Sequence, residues 1–154
     1  MTHECGLKDD RRCCSKAPAR QVKIPGAKRA QPGQTWRVLI VDDNADSADS
    51  IAAILETCWH EVEVAYSAQK ALEMAVEHQP DIVLLEIELP DMDGYEVAKH
   101  LRQIPELIEM RLIAITGYGQ QSDRQRSREA GFDELADTGR AISIAHETAR
   151  VVLR

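Results

Sequence analysis

Asp81 to Gly94 reads DIVLLEIELPDMDG. Its opening run, Ile82 to Leu85, has no polar position, which is the pattern of a parallel strand covered on both faces. The run ends on an acid, Glu86. Runs of the same kind recur on either side of it: Arg37 to Val41 (RVLIV), Val62 to Ala65 (VEVA), Leu112 to Ile115 (LIAI) and a weaker one at Asp133 to Ala136. Between them, apolar residues fall at helical spacing. Ile51, Leu55 and Cys58 mark a first helix, Leu72, Ala75 and Val76 a second, and Val97 with Leu101 a third. The fourth opens at Ser122 with Gln125 three positions on, a capping-box pattern, and closes at Gly131, where a left-handed residue ends helices and Phe132 supplies the contact that follows. Ala141 to Leu153 forms a fifth, with Ile142, Ala145, Ala149 and Val152 on one face.

Strict alternation of strand and helix with right-handed crossovers gives an α/β domain. The predicted fold is a flavodoxin-like (βα)5 doubly wound parallel sheet of strand order 2-1-3-4-5. The 154 residues and 44% hydrophobic content fit one domain of ordinary size, residues 36–154, preceded by a tail. Aromatics are only 4%, so the core must be aliphatic. No segment approaches the roughly 20 apolar residues of a membrane span, and the start MTHECGLKDDRR has no apolar stretch of a signal peptide. These features predict a cytoplasmic protein.

Charge divides the chain near Trp36. Residues 1–35 carry eight Lys or Arg against three Asp or Glu, a balance of +5, which leaves 11 basic and 23 acidic residues downstream, or −12. With Pro18, Pro25 and Pro32 and no apolar period, residues 1–35 are predicted to be disordered. A basic arm of this kind suits weak contact with nucleic acid, an anionic surface or the acidic domain beside it. No aromatics are interleaved with its basic residues, so a solvated linker is the favoured reading. Cys5, Cys13 and Cys14 lie there with His3. Adjacent cysteines fit one tetrahedral zinc poorly and no paired C-x-x-C is present, so reduced thiols are expected. Cys58, on an apolar stripe, reads as a small core residue. His60, His78, His100 and His146 fall on helices or helix ends and are expected to face solvent.

Ligands of a doubly wound sheet bind outside the carboxyl ends of its strands. There the sequence puts Asp42 and Asp43 after the first strand, Glu86 at the end of the third, Thr116 after the fourth and Thr138 after the fifth. Paired carboxylates at a strand end suit a hard cation such as Mg2+, and they equally suit helix-cap and turn chemistry.

VLIVDDNADSADS, DIVLLEIELPDMDGYEVA, LIAITGYGQ and REAGFDE together resemble, in order, the motifs of bacterial response-regulator receiver domains (CheY-like) over residues 36–154. The resemblance implies a phosphoryl group accepted from a histidine kinase onto an aspartate, with Mg2+ held by the acidic pair. By position, Asp42 and Asp43 match that pair, Thr116 matches the hydroxyl that meets the phosphoryl group, and the backbone carbonyl of Glu88 matches a metal ligand. The expected metal set is therefore Asp42, Asp43, Glu86 and Glu88. The departures fall at the chemistry: Glu86 replaces the phosphoacceptor aspartate, Thr138 the lysine, Gly139 the proline after it, and Leu135 the aromatic residue that in many receivers turns inward on activation.

Glutamate moves its carboxylate outward by about 1.5 Å, and errors near 1 Å in aligning reactants lower a rate by about a hundredfold. Losing the lysine removes a cation that would stabilise charge on the transferring group. Clustered carboxylates without a cation raise the pKa of at least one member. That leaves room for Mg2+ or Mn2+ to bind and stabilise the domain, or for Arg140 to swing in as a substitute. The favoured reading is a stand-alone pseudo-receiver, not an enzyme, that is deficient in phosphorylation and acts by protein contact in two-component signalling. Its partner would be a histidine kinase or another protein of such a system, and no DNA-binding output domain follows the fifth helix. The alternatives are a working single-domain phosphoacceptor, a C-terminal receiver fragment of a hybrid histidine kinase, and a small flavodoxin-like enzyme or ligand-binding domain. The last has no Gly-rich phosphate loop or dinucleotide fingerprint to support it.

Overall fold

The computed structural model describes residues 35–57, 60–116 and 121–150, with the side chains of 121–123, 146 and 148–150 outside the description. The expectations for residues 1–34, Cys58, His146, Ala149, Val152 and the Ser122 cap therefore lie outside the described residues.

Five strands, β1 (Arg37–Val41), β2 (Glu61–Ala65), β3 (Ile82–Glu86), β4 (Arg111–Ile115) and β5 (Glu134–Ala136), form one sheet of order β2-β1-β3-β4-β5, with each pairing parallel. Five helices alternate with them: α1 (Ala45–Glu56), α2 (Ala68–His78), α3 (Gly94–Arg102), α4 (Gln121–Ala130) and α5 (Thr138–Arg150), and a 3-10 turn, Pro105–Leu107, precedes β4. The predicted α/β order is observed.

Alternation along the apolar strands divides them between two cores, because successive side chains point to opposite faces. Leu39, Val41, Val83, Leu85, Leu112 and Ala114 face α2, α3 and α4, where Ala71, Ala75, Val97 and Leu101 meet them. Val38, Ile40, Ile82, Leu84, Ile113 and Ile115 face α1 and α5, against Ile51, Leu55, Ala141, Ile144 and Ala145. Burial of this kind is worth about 25 cal/mol per Å² of apolar surface. It explains why β1, β3 and β4 carry polar residues only at their ends, Arg37, Glu86 and Arg111.

Several local readings need correction. The buried face of α2 is Ala68, Ala71 and Ala75 with Leu72 beside it, while Val76 is 57% exposed. Val76 lies one position round the helix from Ala75, past the edge of the apolar stripe. Among the described side chains of α5 the buried ones are Ala141, Ile144 and Ala145, and Ile142 is only partly covered. His60 is 7% exposed, not solvent-facing: it lies in the link to the edge strand β2, beside Glu61, whose amide donates to the carbonyl of the buried Trp36. His78 and His100 are exposed, as read from the sequence.

Gly131 has φ 102° and ends α4 as predicted. The Phe132 amide donates to the Ser127 carbonyl and the Gly131 amide to that of Arg128, the paired bonds of a Schellman ending. Arg102, at the end of α3, secures this corner: Nε donates to the Gly131 carbonyl at 2.8 Å, Nη1 to that of Met110 at 2.8 Å, and Nη2 pairs with Asp133 at 2.7 Å.

Candidate functional site

The carboxyl ends of β1, β3, β4 and β5 bring Asp42, Glu86, Thr116 and the start of α5 to one edge. Asp42 is 5% exposed, which is costly for a carboxylate without partners. Its Oδ1 accepts the Asn44 amide at 2.9 Å, and the Asn44 side chain in turn accepts the Ser47 amide at 3.1 Å as the N-cap of α1. Cap chemistry thus falls to Asn44, and Asp42 supports it from the pocket side. Asp43 is exposed.

Glu86 is half-buried at the last position of β3. Its Oε1 accepts the amide of Ile87 at 2.9 Å and that of Glu88 at 3.3 Å, so the carboxylate folds back on its own turn. Burial pushes the Glu86 carboxyl above the usual range, and the charges of Asp42 and Glu88 push the same way. The two amides pull it down without cancelling the rise.

The loop after Glu86 is held by contacts that the sequence reading missed. A Cβ built on Gly94 would lie 2.6 Å from the Glu86 carbonyl oxygen and 2.7 Å from Ile87 Cα. The Gly94 amide donates to the Ile87 carbonyl at 2.9 Å, so α3 starts against the backbone of the site. Asp93 caps α3, its Oδ1 accepting the Tyr95 amide at 2.9 Å. Asp91 accepts the amides of Ala68 and Gln69 at the start of α2, and these bonds hold its carboxyl below the usual range. The sequence signal was present at Asp93-Gly94, a turn dipeptide just ahead of an apolar-periodic segment.

Thr116 is 9% exposed and its amide donates to the Ala136 carbonyl at 3.2 Å. Thr138 is exposed and opens α5 three residues ahead of the predicted start. The reason is Asp137, which acts as an N-cap: Oδ1 accepts the Arg140 amide at 2.9 Å and its carbonyl accepts that of Ala141 at 2.8 Å. Arg140 does not substitute for a lysine in the pocket. Its guanidinium pairs with Glu134 at 3.2 Å, at the opposite end of β5. Leu135 is partly buried against the core that faces α2, α3 and α4.

The family model "Response regulator receiver domain" matches residues 38–136. The chain belongs to that family. Receiver domains work in two-component signalling and are generally signalling rather than catalytic proteins. The chain is similar to the polar-differentiation response regulator DivK of Brucella ovis, 35% identical over 99 residues that cover 64% of this chain and 80% of the relative. DivK of Brucella anthropi is 34% identical over 96 residues, covering 62% and 78%. Among solved structures, a response regulator from Chloroflexus aurantiacus superposes with TM-score 0.68 at 26% identity, covering 76% of this chain and all of that one (100%). CheY4 of Vibrio cholerae gives 0.69 at 19% identity, covering 75% and 99%, a likeness of fold.

Receiver domains usually bind Mg2+ at this edge of the sheet. One Asp42 oxygen and one Glu86 oxygen are engaged by amides, and among the described residues no three His, Cys, Asp or Glu are grouped to hold a metal. No helix among the described residues is long and apolar enough to cross a membrane.

Proposed function

We propose that this receiver domain is a pseudo-receiver: it does not take up phosphate at position 86, and it acts in two-component signalling as a protein-interaction module. Glu86 carries the reading. Its carboxylate satisfies itself on the amides of Ile87 and Glu88. Both amides bond to Oε1, and such charge-assisted bonds are the stronger ones, so the side chain is tied to its own turn. Thr138 in place of a lysine, with Arg140 committed to Glu134, leaves a developing phosphoryl charge without that cation. Mg2+ binding, to Asp42 and Asp43 with Glu86 and the Glu88 carbonyl, is weak on this reading, because one oxygen of Asp42 and one of Glu86 are already engaged by amides. Thr116 keeps its place at the edge without a phosphoryl group to meet. The partner is a histidine kinase or another protein of a two-component system, recognised by a surface that does not switch.

The test is to incubate wild type, Glu86→Asp, and Glu86→Asp with Thr138→Lys with acetyl phosphate and Mg2+, and to weigh the intact proteins. Added phosphate is expected on the double variant only. Phosphate on the wild type would overturn the proposal.

A further inference from the structure

α4 has little apolar surface to bury. Its sequence, QSDRQRSREA, is almost entirely polar, and among its described side chains only Ser127 and Ala130 are buried. Hydrophobic burial therefore does little to set its position. Polar and aromatic contacts do it instead, and they converge on the start of α3. The Arg126 guanidinium stacks over the Tyr95 ring with its carbon 4.2 Å from the centroid, while Nη2 pairs with Asp93 Oδ2 at 2.9 Å. Tyr95 is 4% exposed and meets Phe132, just past the end of α4, edge-on at 6.1 Å. Asp93 holds the same turn from within through its bond to the Tyr95 amide.

The start of α3 is in turn seated on the backbone of the site. Gly94 packs so closely on Glu86 and Ile87 that not even a methyl group fits between them. A shift of that backbone must move the start of α3, since there is no slack at Gly94 to absorb it.

We propose that Arg126 is a latch that couples the backbone at Glu86 to the position of α4. The route runs from Glu86 and Ile87 through Gly94 to Asp93 and Tyr95, and from these through the guanidinium to α4. It uses neither Thr116 nor the side chain at position 135, and it holds whether or not position 86 takes up phosphate. Arginine suits the role because its flat cation stacks on the ring and bonds the carboxylate at once.

Amide hydrogen exchange and amide resonances of the full chain test this by NMR. Exposed cation–π and ion-pair contacts of this kind support about a five- to tenfold change in local opening. Arg126→Gln should therefore raise exchange of the Arg124–Ala130 amides by about that factor while β1 and β3 keep their protection. Glu86→Ala, which frees the Ile87 and Glu88 amides, should move α4 resonances in the wild-type background and by less than half as much with Arg126→Gln. The latch is refuted if α4 exchange is unchanged or rises no more than that of β1. It is equally refuted if Glu86→Ala moves α4 equally in both backgrounds, or in neither.

Discussion

Gly94→Ala sets two physical effects against each other, and the structure decides which wins. Gly94 is the first residue of α3, and alanine is the better helix former by about 1 kcal/mol. Only Gly131 among the described glycines has positive φ, so the conformation at 94 does not need glycine and an alanine there would be stabilising on backbone grounds alone. Space argues the other way. The added Cβ would meet the Glu86 carbonyl oxygen at 2.6 Å, Ile87 Cα at 2.7 Å and the Ile87 carbonyl oxygen at 2.9 Å. Carbon contacts settle near 3.5–4.0 Å, so one backbone or the other must retreat by about 1 Å. The obstructing atoms are main chain at the end of a central strand, which has no rotamer to change. Overpacking of this type costs about 1–3 kcal/mol.

The net expectation is a loss of stability, with a fall in melting temperature of roughly 4 °C per kcal/mol for a domain of this size. Thermal unfolding followed by circular dichroism measures it. The Ile87 and Glu88 amide resonances should move at the same time, because the displaced backbone is the one that holds the Glu86 carboxylate. A melting temperature at or above that of the wild type would refute the argument, since it would mean that the α3–β3 approach has slack.

Two further perturbations test other parts of the structure. Arg102→Ala removes bonds to the Gly131 and Met110 carbonyls and to Asp133 from a side chain only 21% exposed; it should cost about 2–3 kcal/mol in urea unfolding, against near zero for the exposed Lys99→Ala. Glu86→Gln reports on the raised carboxyl. A group whose folded pKa is raised contributes stability below its unfolded value, near 4.3, and loses it as pH climbs through the folded one. The Gln variant should thus melt above the wild type at pH 7 and together with it below about pH 4. A gap of the opposite sign, or one that does not change with pH, would show that burial does not govern this carboxyl.

The strands were legible because a parallel strand buried on both faces has no choice of side chain. β1 was read to its exact bounds and β3 to within one residue, at Glu86, where the first polar side chain appears. Helix faces were harder. Val76 sits beside Ala75 in an apolar pair, and nothing in that pair says which member points inward; the small residues Ala68, Ala71 and Ala75 do, once α2 is known to lie flat on the sheet. The start of α5 was missed because Thr-Gly-Arg looks like loop, whereas Asp137 caps the helix and carries those residues into its first turn.

The site was legible as a set of positions and illegible as a set of directions. Sequence places Asp42, Glu86 and Thr116 at one edge of the sheet, and the strands put them there. Where the Glu86 carboxylate points depends on two amides that belong to its own turn, and that turn keeps its shape because Gly94 lets α3 press on it. The extra methylene is therefore more than an error in reach. The longer side chain curls back on Ile87 and Glu88, so its carboxylate, half-buried and harder to ionise than usual, already has partners there. Lengthening position 86 and losing the lysine at 138 then act in the same direction. On the proposed reading the first draws the carboxylate back to its own turn, the second leaves a phosphoryl group without a counter-charge, and restoring either one alone repairs only half of the pocket.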